Sequence, residues 1–139
     1  APGAISRLTE MGIEPFLTSS AVDCVVAQRL TRRLCSSCKR RTILAVDALR
    51  DSGFHAAFDV EAYEPVGCAR CGGSGYKGRV GLYEVMVLTD EVRELAIKRA
   101  SADEIAKVAV QQGMRPLRDD GLDKVRQGLT SIAEVTRVS

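Results

Sequence analysis

Apolar residues near the start of the chain fall at Ile5, Leu8 and Met11, a three-residue step that predicts a short helix over 4–11. Gly12 stands where such a helix stops, and Pro15 suits the first turn of the next. In that second helix Leu17, Ala21, Cys24 and Val25 share one face, so Cys24 is expected as a small buried hydrophobe. From Val26 to Leu34 the pattern fits helix and strand alike, and its position directly before a cysteine pair favours a strand. Leu44, Ala45, Ala48 and Leu49 suggest a short helix over 43–52, closed by Gly53, with irregular chain over 54–67. Gly78 to Leu88 is rich in β-branched and aromatic residues and is the clearest strand, expected to pair with 26–34.

The remainder reads as helices. Thr89 or Asp90 caps one, with Val92, Leu95 and Ala96 inward. Ser101-Ala-Asp-Glu104 is a capping box for another, with Ile105, Val108 and Ala109 inward and Gly113 at its end. Pro116 opens the next, with a stripe of Leu117, Gly121, Val125 and Leu129. Ser131-Ile-Ala-Glu134 is a second capping box, placing Ile132 and Val135 inward. These terminal helices are expected to form a small satellite bundle.

Composition narrows the function. At 139 residues the chain can build one sizeable core or two small ones. Three Phe, three Tyr and no Trp leave a core of aliphatic residues and argue against base-stacking platforms for nucleic acid. A net charge of +2 is too small to imply a polyanionic partner. No apolar run approaches the roughly 20 residues that span a bilayer, and no signal peptide is visible. Five cysteines without a secretion signal suggest reduced, metal-bound thiols and hence a cytosolic compartment. The opening Ala1-Pro2-Gly3, without Met, reads as part of something longer.

The chemistry lies in Cys35-Ser-Ser-Cys38 and Cys68-Ala-Arg-Cys71, two C-x-x-C pairs with 29 residues between them. Each spacing can put two sulfurs on one side of a tight turn, and two such turns make a closed Cys₄ site for structural Zn²⁺. A redox C-x-x-C would need a βαβ surround that the pattern does not supply. Gly72-Gly73-Ser74-Gly75 lacks the Lys-Ser/Thr ending of a phosphate-binding P-loop and is better explained as a knuckle whose N–H groups point at sulfur. His55, the single histidine, is not expected as a ligand beside four cysteines.

Arg29, Arg32, Arg33, Lys39, Arg40 and Arg41 occupy a stretch without any acidic residue. That stretch reads as a solvated face, as an anion or acidic-partner site, or as compensation for the −2 charge of a tetrathiolate zinc centre. No Ser/His/Asp, Cys/His or Walker A constellation is present, so no catalytic residue is expected.

Several blocks together resemble the C-terminal part of the type II secretion and type IV pilus assembly ATPases. They are Gly12-Ile-Glu-Pro-Phe-Leu17, Ala27-Gln-Arg-Leu30 and Leu34-Cys35-x-x-Cys38, followed by Cys68-x-x-Cys71-Gly72-x-x-Gly75-Tyr76-x-Gly78-Arg79-x-Gly81-x-Tyr83-Glu84-Val85. The last runs from Gly113-Met114 through Asp120-Gly121 and Lys124-Val125 to Glu134-Val135. Only 39–67 matches poorly. The resemblance implies a fold that is mostly α, with a short antiparallel β element and a tetracysteine zinc module, forming the C-terminal fragment of a RecA-like α/β ATPase. It implies a cytoplasmic homohexamer peripheral to the inner membrane, docked on platform proteins and driving pilus or pseudopilus extension with ATP and Mg²⁺. The nucleotide motifs would lie upstream, so this chain alone would be inactive. Arg29 would face the missing core, with a structural ion pair as the simpler role.

The expected division is 1–34 as the end of the ATPase core, 35–88 as the zinc subdomain and strand, and 89–139 as the helical subdomain. The alternative is a free-standing zinc-binding adapter that grips nucleic acid through Arg29–Arg41. One knuckle also looks like the Hsp40 cysteine-rich domain, but that domain repeats it four times and here it occurs once.

Overall fold

A computed structural model describes residues 1–139. Seven helices and four strands follow in the order α1 (Gly3–Glu10), α2 (Pro15–Ala21), β1 (Cys24–Leu34), β2 (Arg40–Leu44), α3 (Val46–Asp51), β3 (Val60–Glu64), β4 (Tyr76–Val87), α4 (Asp90–Ile97), α5 (Ala102–Gln111), α6 (Leu117–Arg126) and α7 (Ile132–Val138). A 3₁₀ turn lies at Ala69–Cys71. None of the helices is long and apolar enough to cross a membrane.

The strands form two two-stranded sheets, β1 with β4 and β2 with β3. The first is the pairing expected from sequence. Leu88 N–H bonds Asp23 O near the start of β1 and Cys35 N–H bonds Gly75 O past its end, so the two strands run antiparallel. The second sheet was not expected, because 54–67 read as irregular. β3 pairs antiparallel with β2, and Arg40 faces Glu64 while Leu44 faces Val60. Val60 and Ala62 are buried and Glu61 between them is exposed, the period-2 burial of a half-buried strand.

The second helix departs from expectation. It ends at Ala21, because Val22 is already extended and the chain passes into β1 after Asp23. Its buried face is Pro15, Thr18 and Ser19. Leu17 is exposed, and Cys24 is an exposed free thiol at the first position of β1 rather than a core residue. The β-branched run Val22-x-x-Val25-Val26 favours a strand, and that preference ends the helix before Cys24 can join it.

The three caps form as read. Thr89 accepts from Val92 N–H, Ser101 from Glu104 N–H and Ser131 from Glu134 N–H. Each bond satisfies one of the unpaired donors at a helix start, worth about 1 kcal/mol.

The chain divides into two compact units, Ala1–Ala27 with Tyr83–Pro116, and Gln28–Leu82 with Leu117–Ser139. These boundaries differ from the expected 1–34, 35–88 and 89–139. The first unit holds α1, α2, α4 and α5 around Ile5, Met86, Val92, Ala96, Ile105 and Ala109. The second holds Cys35, Cys38, Cys68 and Cys71 with β2, β3, α3, α6 and α7 around Leu49, Phe54, Val60, Leu82, Leu122, Val125 and Val135.

The terminal helices therefore do not make one satellite bundle, and the hydrogen bonds give the reason. Leu34 N–H bonds Leu129 O at 2.9 Å. Thr130 Oγ1 donates to Arg32 O at 2.8 Å, and the Tyr76 and Ser131 hydroxyls meet at 2.7 Å. Residues 128–131 are thus stitched to β1 and β4, and α6 and α7 follow them.

Gly121 marks how closely α6 and α7 pack. A Cβ there would lie 2.4 Å from Val135 Cγ1 and 3.3 Å from Leu82 Cδ1. Gly121→Val should destabilise the second unit by about 3 kcal/mol through overpacking, read as a lower denaturation midpoint at unchanged slope. Gly121→Ala should cost about a third of that.

Candidate metal centre

The first cysteine pair sits where β1 ends. Cys35 N–H is held by Gly75 O, and Lys39 N–H closes the following turn on Cys35 O at 3.1 Å. The second pair is built on the 3₁₀ turn. Cys68 N–H points at Cys71 Sγ at 3.2 Å, and Gly75 N–H reaches the same sulfur at 3.2 Å. Gly67 N–H points at Cys38 Sγ at 3.4 Å. The glycines act as expected. Gly75 has φ +83, and a Cβ there would stand 2.5 Å from Pro65 Cβ, so only glycine lets this backbone reach the sulfur.

The four sulfurs lie within 4.8 Å of one another. Cys35 to Cys68, Cys38 to Cys71 and Cys68 to Cys71 are each 3.8 Å apart. A regular tetrahedron with metal–sulfur bonds of about 2.3 Å has sulfur–sulfur edges of about 3.8 Å, so the cluster has the size of a four-thiolate metal centre. A disulfide needs about 2.05 Å, and all four thiols are free.

The electrostatics are uneven. Burial opposes ionisation of Cys71, but the Cys68 and Gly75 N–H groups and the neighbouring thiols outweigh it and bring Cys71 down to about 6. The Ser37 N–H lowers Cys35 against the effect of burial. The Gly67 N–H favours the Cys38 thiolate, yet burial and the three other cysteines push it up to about 11. A divalent cation placed among the sulfurs would favour the last thiolate beside the others.

Cys35, Cys38, Cys68 and Cys71 are thus the expected four, brought together in one cluster. Cys24 is not among them, nor is His55, whose exposed ring faces Asp119 at 3.4 Å. The basic stretch is largely spoken for. Arg40 pairs with Glu64 at 2.5 Å, Arg41 with Glu61 at 3.2 Å, and Arg32 with Glu134 at 2.9 Å. Lys39 donates to Gly128 O and lies over the Tyr63 ring. Arg29 makes no ion pair, contrary to expectation; its guanidinium bonds the adjacent Gln28 O. The acidic partners come from β3 and α7, and they reach three of the six cations.

Glu134 is the important side chain that sequence reading undervalued. It is 2% exposed, and its carboxylate accepts from Arg32 N–H, the Arg32 guanidinium and the Arg137 guanidinium. Burial opposes its charge, but Arg137 and Arg32 outweigh burial and hold it at about 2. The only signal in sequence was an acid three positions from an arginine on one helix.

Comparison with known proteins places this geometry in context. The profile of the family described as Type II/IV secretion system protein matches residues 1–137. The type IV pilus assembly ATPase PilB of Thermus thermophilus is 44% identical over 137 residues, 97% of this chain and 15% of that protein. PilB of Myxococcus xanthus is 45% identical over 138 residues, 97% of this chain and 24% of that protein. The type II secretion system protein E of Aeromonas hydrophila is 42% identical over 139 residues, all of this chain and 28% of that protein. The chain spans between 15% and 28% of the length of these relatives. With the match running through both cysteine pairs and nearly end to end, this chain belongs to the Type II/IV secretion system protein family.

Proposed function

We propose that this chain is the C-terminal portion of a hexameric, RecA-like ATPase that powers type II secretion or type IV pilus assembly at the inner membrane. Within it, Cys35, Cys38, Cys68 and Cys71 hold one structural Zn²⁺ that fixes the second unit. Four thiolates complete a tetrahedral shell and leave no position for a catalytic water, so the metal's role is architectural. Zinc suits the donor set, since soft thiolate ligands in a tetrahedron select it over harder cations. The observation that carries the reading is the family match over 1–137, running through the two cysteine pairs whose sulfurs cluster at tetrahedral spacing.

In this reading ATP and Mg²⁺ bind residues upstream, the partners are neighbouring subunits and inner-membrane platform proteins, and no nucleic acid is bound. The ion pairs of Arg32, Arg40 and Arg41 weigh against the nucleic-acid adapter. Two measurements test the proposal. The coding sequence upstream of Ala1 should contain a Walker A motif, and the 139-residue chain alone should hydrolyse no ATP above a buffer blank. Hydrolysis by the isolated chain, or an upstream sequence without an ATPase core, overturns it. Metal analysis of reduced protein should give about one zinc per chain.

A further inference from the structure

Beside the thiol cluster lies a pocket of about 240 Å³ lined by Arg33, Leu34, Cys35, Ser36, Ser37, Arg70 and Lys77. Three cations and two hydroxyls converge there without any carboxylate in the lining. The contrast with the rest of the basic stretch is informative. Arg32, Arg40 and Arg41 each have an acidic partner. Arg33 and Lys77 have none, and Arg70 bonds only the Ser37 hydroxyl at 3.4 Å. Arg29 and Lys39 also lack a carboxylate partner, so what sets the pocket apart is that three cations without one line a single cavity.

The surroundings of the pocket add a second observation. Cys35 N–H bonds Gly75 O just past the strand ends. The end of β1 with Arg33 and the start of β4 with Lys77 thus lie side by side, and both cations line the one cavity. Like charges held close together repel unless something of opposite sign lies between them. A tetrathiolate zinc centre would carry −2, and part of the positive charge offsets it. Charge compensation alone does not call for a cavity, nor for two neutral hydroxyl donors beside the cations.

We propose that this pocket binds a phosphate group, supplied by a soluble phosphate or by a lipid headgroup. A phosphate carries close to two negative charges and several strong acceptor oxygens, matching three cations and two hydroxyls better than a singly charged carboxylate does. Arg33 and Arg70 supply planar, forked donors, Lys77 a point charge, and Ser36 and Ser37 neutral donors.

The test uses the protein as purified, with its own metal content, at low ionic strength where charge screening is weak. Inorganic phosphate is titrated calorimetrically. In parallel, the chain is sedimented with phosphatidylcholine vesicles with and without phosphatidic acid. The expected result is saturable phosphate binding that falls at least about ten-fold in R33A/K77A and less than about two-fold in R40A/R41A, which removes as much charge outside the pocket. Vesicle binding that requires phosphatidic acid and is lost in R33A/K77A identifies a lipid source. Phosphate binding without vesicle binding identifies a soluble source.

Equal weakening in both double variants would reduce the effect to diffuse charge and overturn the proposal. So would the absence of any pocket-dependent binding to phosphate or vesicles. Tighter binding of a glutamate-rich peptide than of phosphate would replace it with a protein-docking surface. Should R33A/K77A fail to fold, S36A/S37A decides, because it keeps every cation. Phosphate affinity reduced several-fold supports the pocket, and unchanged affinity overturns it.

Discussion

Removing the metal, or replacing Cys68 and Cys71 by serine, is expected to unfold the second unit and to leave the first largely intact. The proposed zinc centre closes a 29-residue loop whose entropic cost is about 3 kcal/mol, against apparent zinc-binding energies of roughly 10–16 kcal/mol in small domains. The balance falls so far on the side of the metal that little of the cluster should survive without it. Leu82, part of the second unit's apolar core, follows the second cysteine pair by only eleven positions, so disorder in the cluster reaches that core directly. Hydrogen exchange reads the outcome segment by segment. Protection should fall over 28–82 and 117–139 and persist over 83–116. The separation of α6 and α7 from α4 and α5 is the discriminating feature, because they are contiguous in sequence. Equal loss in all four helices would contradict the two-unit division, and unchanged protection over 28–82 would deny the metal a structural role.

The second large effect is expected at Glu134. Removing both guanidiniums, as R32A/R137A, leaves a carboxylate that is 2% exposed without its cations and should cost about 3–5 kcal/mol. E134Q should cost less, about 2 kcal/mol, because both arginine side chains are more than half exposed and can return to water. The pH dependence gives an independent reading. The native carboxyl titrates at about 2 and an ordinary glutamate near 4.5, so the native state holds the proton less tightly than the unfolded chain. The stabilisation is therefore complete above about pH 4.5 and is lost as pH falls from there to about 2, amounting to about 3 kcal/mol. Denaturant unfolding of the native chain and E134Q should differ most near neutral pH and converge toward pH 2. A difference that stays constant over that range would show that the charge of Glu134 is not what stabilises.

Much of this was legible in the sequence because the signals were local. The cysteine spacing, the glycines after Cys71 and the Ser and Thr caps each act within four residues, and each formed as read. The pairing of β1 with β4 was legible because the cysteines clamp their neighbouring ends. The readings that failed needed a partner remote in sequence. β3 read as irregular chain until β2 is paired with it, and its Glu64 and Glu61 then meet Arg40 and Arg41, which stay largely solvated. Glu134 looks like a cap residue until Arg32, 102 positions earlier, is placed against it. Cys24 failed for a different reason: helical spacing was extended past Asp23, where three β-branched valines had already turned the chain toward a strand. The division of the terminal helices was hidden because tight turns carry no information about which core each helix joins.

The interleaving of the two units also sets an order of events during synthesis. Residues 28–82, with all four clustered cysteines, leave the ribosome well before α7 is made. On the proposed zinc reading the thiols can capture metal early, but Val135 and Glu134, which complete that unit's core and ion pair, arrive more than 50 residues later. At typical elongation rates this leaves a half-built unit waiting for several seconds, with Leu82 and Phe54 uncovered. With the proposed zinc bound early, a nascent chain is most exposed to aggregation in that interval, and a truncation that removes only Ser131–Ser139, far from any cysteine in sequence, would prolong that exposed state indefinitely.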